Sequence, residues 1–219
     1  MIYGAVAEGV TGDVRARHAR RPSCSARAPF LEPCTDLVQA ASQPRETFGL
    51  TDVPADTPAM LRYVETALVG RDSGTMLPFA TIDPKAERVD GSTRLGNVQF
   101  RNWPAGNPNQ RGKHLPDVVE IGWTWLSPDV QRTGINTEAK LLMLNHTFES
   151  LRVHWVSLKT DSQNERSRTA IERLGAKVNG VIKATQTAYD GAIRHFAFYS
   201  ILDSEWLAVK SQLGARLRP

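Results

Sequence analysis

The clearest periodic pattern lies at the centre of the chain, where apolar and polar residues alternate through residues 118–126. A period of two is typical of a β-strand with one buried face. The strand is predicted to end at Ser127-Pro128, and its two tryptophans are expected to belong to the core. One face carries Val119, Ile121, Trp123 and Trp125, and the other carries Glu120, Gly122 and Thr124.

A helix is predicted directly after this strand, over residues 133–151. Its apolar residues recur at helical spacing, in the stripe Leu141, Leu144, Phe148 and Leu151. A strand is predicted over 153–160 and a second helix over 164–174. That helix is followed by Gly175, and glycine is the residue that most often ends a helix in the left-handed conformation.

The flanking segments carry weaker signals of the same two kinds. Asp56-Thr57-Pro58 combines a capping residue with an early proline, which begins a helix that runs to about Gly70. Shorter helices are expected at 36–41 and around Trp206. Strands are predicted at 77–82, 89–100, 178–188 and 192–202, the last two joined as a hairpin through Asp190-Gly191. The order after residue 75 is β-β-β-α-β-α-β-β, which predicts an α/β fold with a mixed sheet.

Composition fits one globular domain preceded by an arm. The 219 residues are 41% hydrophobic and 23% charged, which excludes wholesale disorder. Residues 1–30 show no helical or strand period and are predicted to form a poorly ordered basic arm. Residues 31–219 are predicted to form the domain. Because the chain carries no long apolar span and residues 1–8 lack the pattern of a signal peptide, we expect a cytoplasmic protein without a membrane partner.

The net charge of +4 is concentrated on the arm, whose five arginines and two acids give +3. The remaining residues carry 22 basic and 21 acidic groups, or +1. A nearly neutral body argues against a dedicated nucleic-acid-binding domain, since phosphate contacts need clustered positive charge. RNA binding by the arm alone is a weaker alternative.

Two further features bear on the kind of site. Cys24 and Cys34 have no second pair or nearby histidine that would make a zinc site, so free thiols are expected, with one short-loop disulfide as the alternative. Residues 102–116 are rich in proline, glycine and amides, and such a long exposed loop is a candidate for facing substrate.

The turn between the central strand and helix carries the most specific chemistry. The first amides of a helix lack internal partners and form an anion site with the helix dipole, and a glycine such as Gly134 lets a phosphate approach the backbone. A tight turn without a ligand is the alternative. The G-x-G-x-x-G and P-loop patterns are absent, which weakens dinucleotide and nucleoside-triphosphate interpretations.

The same turn resembles a known family signature. Residues 131–136, Gln-Arg-Thr-Gly-Ile-Asn, match the acyl-CoA-binding pattern (Gln/Arg)-x-x-Gly-x-(Gly/Ala) of the GNAT acetyltransferases. About thirty residues later, 164–176 resembles the next motif of that superfamily, and 120–123 with 133–138 is similar to the ribosomal-protein-alanine N-acetyltransferase branch. The resemblance implies a single GNAT-type domain with a mixed, mostly antiparallel central sheet flanked by helices.

The resemblance also implies roles for individual residues. Acetyl-CoA would be the co-substrate, with no metal, and its pyrophosphate would meet the backbone of Gln131, Arg132, Thr133, Gly134, Ile135 and Asn136. An amide near Leu126 would polarise the thioester carbonyl. Asn164 and Ser167 would contact the pantetheine or adenosine side. Succinyl-CoA or a longer donor stays open.

Glu120 is the candidate general base, because desolvation on a central strand strengthens a carboxylate as a base. A salt-bridged strand glutamate is the alternative. The sequence departs from the family pattern twice. Asn136 replaces the last small residue and is expected to cap the helix or bind phosphate, and Ile171 stands where many members carry a tyrosine acid. Ser127, Tyr199 or solvent could protonate the leaving thiolate, with core packing the alternative for Tyr199.

The expected function is N-acetyl transfer to a primary amine by direct attack, without an acyl-enzyme. The acceptor would be a protein N-terminus or a small amine, so a detoxifying enzyme is one alternative. A catalytically silent CoA-binding or regulatory module is another. His195, on the hairpin, could face the acceptor. A homodimer stays open.

Overall fold

The computed structural model describes residues 2–4, 32–42, 44–83, 88–99, 116–187 and 191–217. Their strands form one seven-stranded sheet in the order β1-β2-β3-β4-β5-β7-β6. In chain order the strands are β1 (Ile2–Gly4), β2 (Leu77–Asp83), β3 (Arg88–Gln99), β4 (Val118–Leu126), β5 (Trp155–Asp161), β6 (Lys177–Thr187) and β7 (Ile193–Leu202). The pair β4–β5 is parallel, whereas β1–β2, β5–β7 and β6–β7 are antiparallel.

Five α-helices accompany the sheet in the described part of the chain. They are α1 (Glu32–Ala41), α2 (Thr57–Asp72), α3 (Ile135–Asn145), α4 (Glu165–Arg173) and α5 (Trp206–Arg216). None of the helices described is long and apolar enough to cross a membrane. The predicted α/β fold with a mixed, mostly antiparallel sheet flanked by helices is confirmed.

The chain forms two compact units, each made of two stretches of sequence. The first unit comprises Met1–Arg94 and Trp123–Ala139. Its core joins α1, α2 and the ends of β3 and β4 through Leu37, Ala40, Ala41, Phe48, Val53, Met60, Val89 and Trp125. The rings of Phe48 and Trp125 meet edge to face, with centroids 6.1 Å apart. This core fixes the end of β4.

The second unit comprises Leu95–Gly122 and Lys140–Pro219. Strands β5 and β7 are its centre, and Val156, Ala197 and Ile201 are fully buried. Phe148 stacks on Trp206 at the start of α5, with ring centroids 5.2 Å apart. This unit carries the first half of β4.

The local signals at the helix ends are confirmed. The Asp56 side chain accepts a hydrogen bond from the Ala59 amide at 2.7 Å and so caps α2. Gly175 follows α4 with a φ of 94°, the left-handed cap that was expected there. The predicted helix over 133–151 is α-helical only to Asn145 and continues as one π-helical turn, His146–Ser150. The β6–β7 pairing confirms the hairpin.

Other sequence expectations are wrong or fall outside the described residues. Residues 2–4 pair with β2 as a strand, although the arm showed no strand period, because a three-residue strand is too short to leave one. The remainder of the arm with Cys24, the side chain of Cys34, loop residues 102–115 and the turn residues 188–190 all lie outside the described part.

The expectation of a single buried face along β4 is also wrong, because residues 118–121 are buried on both faces and Trp123 is exposed. Trp125 is buried as expected, but Trp123 is 40% exposed and has a φ of 52°. A residue in the left-handed region reverses the side-chain direction locally, as in a β-bulge. Trp123 therefore leaves the face that it was expected to share with Trp125.

Candidate functional site

The turn after β4 is held by its own side chains. The Gln131 carboxamide donates to the Leu126 carbonyl at 2.8 Å and accepts from the Thr47 hydroxyl at 2.8 Å. The Thr133 hydroxyl donates to the Val130 carbonyl at 2.6 Å. These bonds fix the backbone between the strand and α3.

The amides at the start of α3 are available to a ligand. The Ile135 amide lies 3.3 Å from the Thr133 hydroxyl, and the first helical bond runs from the Glu138 amide to the Gly134 carbonyl. Within the described part of the chain, no acceptor is recorded for the backbone N–H groups of Thr133, Gly134, Asn136 and Thr137. Free amides at a helix start are an anion site.

Two details of this turn differ from the sequence expectation. The residue with left-handed φ is Arg132, at 62°, whereas Gly134 needs no positive φ. Gly134 therefore contributes a backbone without Cβ rather than an unusual conformation. Asn136 was expected to cap the helix or to bind phosphate. The Thr133 hydroxyl takes the capping position, which leaves the phosphate role as the open alternative for Asn136.

Glu120 is buried in the second unit, with 6% of its surface exposed. Its Oε2 atom lies 3.3 Å from the Nζ atom of Lys159 on β5. A Cβ built on Gly122 would lie 3.1 Å from Oε1 of Glu120, so the missing side chain leaves room for the carboxylate. Glu120 is also the last β4 residue in the β4–β5 register, opposite Ser157. It is thus both buried and ion-paired.

Both hydroxyl groups considered as acids are engaged with protein partners. The Ser127 hydroxyl is buried and donates to Asp90 Oδ1 at 2.9 Å, and the Ser127 amide donates to the Asp90 carbonyl at 2.6 Å. The Tyr199 side chain is fully buried, accepts from Arg168 Nε at 3.0 Å and donates to Glu172 at 3.3 Å. Each of these hydroxyls therefore donates its hydrogen bond to a carboxylate.

The second motif forms the start of α4. The Asn164 carboxamide oxygen accepts from the Ser167 amide at 3.0 Å and so caps the helix. Ile171, at the position of the absent tyrosine, is buried. Arg168, on the same helix, donates to the Tyr199 hydroxyl and to the Ser162 carbonyl. On the hairpin, the His195 ring accepts from the Ala184 amide at 2.9 Å.

Sequence reasoning missed Lys140, which is buried on α3. Burial lowers the pKa of its ammonium group to about 7. The available signal was its position four residues before Leu144, which continues the buried stripe toward the helix start. In the residues that the structure describes, no cluster of three or more histidine, cysteine, aspartate or glutamate side chains could hold a metal ion.

The mixed, mostly antiparallel sheet flanked by helices matches solved acetyltransferase structures. The sequence profile of the acetyltransferase (GNAT) domain family matches residues 30–177. The chain belongs to the GNAT acetyltransferase family.

Three similar proteins illustrate the relationship. A "Putative ribosomal N-acetyltransferase YdaF" from Bacillus subtilis (strain 168) is 33% identical over 89 residues, which span 40% of this chain and about half, 47%, of that protein. A putative acetyltransferase from T. thermophilus is 30% identical, with a TM-score of 0.66 over 84% of this chain and 90% of that one. A GCN5-related N-acetyltransferase from Brucella melitensis is 28% identical, with a TM-score of 0.68 over 85% and 78%.

Proposed function

We propose that the protein is an acetyl-CoA-dependent N-acetyltransferase that acts on a primary amine by direct attack. The observation that carries the proposal is the set of free amides at the start of α3, within the turn that bears the Gln131-to-Asn136 signature. Such a set of donors fits a diphosphate, because it offers several N–H groups at the positive end of a helix.

In this proposal the backbone from Gln131 to Asn136 holds the pyrophosphate of the donor. The Gln131 carboxamide already bonds the turn to the Leu126 carbonyl at the end of the strand. The amide near Leu126 would polarise the thioester carbonyl, and preorganised donors of this kind stabilise a developing oxyanion.

Glu120 is proposed as the general base. It accepts the proton of the acceptor ammonium, directly or through water, and the free amine then attacks the thioester carbon. The new C–N bond forms, the nitrogen loses its second proton to solvent, and the C–S bond breaks to release the CoA thiolate. Burial and the neighbouring Lys159 define the environment of this carboxylate, and general-base catalysis contributes about 10²- to 10⁴-fold in rate.

Solvent is proposed to protonate the leaving thiolate. The Ser127 and Tyr199 hydroxyls both donate to carboxylates, on Asp90 and Glu172 respectively. A hydroxyl that gives its proton to a carboxylate must break that bond before it can serve another acceptor. Turnover retained within about tenfold in S127A and Y199F would support this assignment, since a lost general acid costs about 10²-fold or more.

The catalytic test follows release of free thiol from acetyl-CoA with a panel of amino acids, polyamines and N-terminal peptides. Turnover is expected for the wild-type protein, whereas E120Q should lose about 10²-fold or more in kcat with an unchanged dissociation constant for CoA. Tight CoA binding without turnover on any acceptor would favour the silent CoA-binding module instead.

The donor-site test introduces one carboxylate at the turn. Asn136→Asp should weaken CoA binding by about tenfold through repulsion of the phosphates. Thr57→Asp is the matched control, because it adds the same charge to the first turn of α2 in the same unit, where no ligand is proposed. Equal CoA affinity in both variants would contradict the donor site.

A further inference from the structure

Arg94 on β3 is a buried arginine with no carboxylate partner in the part of the chain that the structure describes. It is 5% exposed, and no carboxylate of the described residues is recorded within 4.0 Å of its guanidinium. Its hydrogen bonds go to neutral atoms, the Tyr63 carbonyl at 3.0 Å and the Met76 sulfur at 3.7 Å. A buried charge is stabilised mainly by a counter-charge, and here the described protein supplies none.

Aromatic rings hold the guanidinium in place. The Arg94 Cζ atom lies 3.9 Å from the centroid of the Tyr63 ring and 5.8 Å from that of Trp123. The Tyr63 hydroxyl is in turn bonded to Ser92 at 2.8 Å. Of the five N–H groups of an arginine, the two bonds above use two, and the other three have no partner among the described residues. All these residues belong to the first unit.

Trp123 gives a second, independent indication of a ligand at this corner. Its left-handed φ of 52° costs about 1–2 kcal/mol for a residue other than glycine. The conformation leaves an indole 40% exposed beside a buried cation. Strained residues of this kind concentrate at ligand-binding positions.

We propose that Arg94, with Tyr63 and Trp123, forms a subsite for a carboxylate of the acceptor substrate. The acceptor would then be an amine that also carries a carboxylate, either a free amino acid or a peptide with an acidic N-terminal residue. A guanidinium binds a carboxylate through two parallel hydrogen bonds, which fixes orientation as well as charge. Arg94 is a specificity-determining residue in this proposal, which rests on the proposed acetyltransferase activity.

The test compares acceptors that differ only in the carboxylate. Each amino acid is paired with its amide, and each glutamate-led peptide with its glutamine-led counterpart. The wild-type enzyme should prefer the carboxylate member of at least one pair. That pair shows whether the carboxylate belongs to a free amino acid or to the acidic N-terminal residue of a peptide. R94M should lose roughly 10- to 100-fold in kcat/KM on that member, mainly through KM, and less than about threefold on its neutral counterpart.

Two variants make the result specific. R71M removes an arginine of α2 that already pairs with Asp72, and it should leave the preference unchanged. R94K keeps the charge but loses the two-bond geometry, so it should recover part of the preference. If R94M does not fold, R94K alone should show a KM increase confined to the carboxylate acceptor.

The proposal is overturned if the wild-type protein shows no preference within any pair, or if R94M lowers kcat/KM equally on both members. Absence of thiol release on every acceptor would contradict the proposed activity and not the subsite. In that case calorimetric titration of the CoA-loaded protein with the same pairs decides, because Arg94-dependent binding of only the carboxylate member would still support the subsite.

Discussion

A side chain at Gly91 on β3 would meet the backbone of β4 directly. The φ of this glycine is 155°, and a Cβ built there would lie 2.2 Å from the Trp125 carbonyl oxygen and 2.9 Å from the Leu126 Cα atom. Both atoms are backbone, so neither can move aside as a flexible side chain would. Gly91→Ala therefore pushes directly on the end of β4.

The magnitude has two parts. A positive φ costs a residue other than glycine about 1–2 kcal/mol. Overpacking by one methyl group in a packed interior costs about 1–3 kcal/mol. Gly91→Ala should thus lower the free energy of unfolding by about 2–5 kcal/mol, a large part of the ~5–15 kcal/mol that holds an ordinary domain folded.

Urea denaturation followed by circular dichroism measures this loss of unfolding free energy. Alanine substitutions at two other glycines distinguish the cost of the positive φ from the cost of overpacking. Gly74 has a φ of 71° with nothing within 4 Å of a built Cβ, so Gly74→Ala should show the backbone part alone, about 1–2 kcal/mol. Gly214 lies in α5 with open space and no positive φ, and Gly214→Ala should stabilise by about 0.5–1 kcal/mol.

A functional consequence follows from the same contact. Leu126 precedes the turn that we propose for CoA, and Gln131 is bonded to the Leu126 carbonyl. Displacement of Leu126 should therefore weaken CoA binding in Gly91→Ala and leave it unchanged in Gly74→Ala. If Gly91→Ala unfolds at the same urea concentration as Gly74→Ala, the close approach of the two strands is not what limits this position, and the reasoning fails.

Three further outcomes are expected. Gly122→Ala should lower kcat by about tenfold or more with unchanged CoA affinity, because its Cβ would displace the Glu120 carboxylate; steady-state kinetics measures this. Tyr199→Phe should cost about 1 kcal/mol in urea denaturation with little change in kcat, since the lost hydroxyl bonds Arg168 and Glu172. Burial lowers the pKa of His146, so the folded protein resists its protonation while the unfolded chain accepts it. Stability should therefore fall as the pH drops below about 6.5, by at most about 2 kcal/mol at about pH 5, and His146→Leu should remove that part of the loss.

Local signals were sufficient to predict much of the fold. The strand over 118–126 was predicted to the residue, because its alternation is long and ends at Ser127-Pro128. The start of α2 was likewise predicted from Asp56, whose side chain makes the expected cap. These features depend on neighbours within a few positions, which a single sequence displays.

The failures have non-local or conformational causes. Strand β1 exists only because β2 pairs with it, from a position more than seventy residues away. The φ of Trp123 reverses the alternation, and no residue type at that position signals it. Lys140 was not predicted to be buried, because a charged residue is ordinarily assigned to the exposed side of a helix, whereas Lys140 lies on the buried stripe of α3.

The residues of the candidate site could be predicted from the sequence, whereas their backbone conformations and their partners could not. The turn at residues 131–136 follows from the signature, but the choice of Arg132 rather than Gly134 for the left-handed position does not. For Glu120 the sequence offered a base or a salt-bridged residue as alternatives. Lys159, 39 residues away, shows that the ion pair exists without deciding the first alternative, since a paired carboxylate can still accept a proton.

Arg132 offers a last test, because its replacement by glycine should raise the stability of the fold and lower the affinity for CoA. At a φ of 62° glycine avoids about 1 kcal/mol of strain, so Arg132→Gly should stabilise the protein by up to that amount in urea denaturation. The same change removes an exposed cation from the turn that we propose to hold a pyrophosphate, so CoA affinity should fall.

Arg152 is the matched control for this change. It is exposed, has a φ of 53° and belongs to the second unit, so Arg152→Gly should give a similar gain in stability with no change in CoA binding. Stability gained by both variants, with affinity lost only in Arg132→Gly, would show that the strained arginine is retained for its charge at the anion site. Loss of affinity in both, or in neither, would refute that explanation.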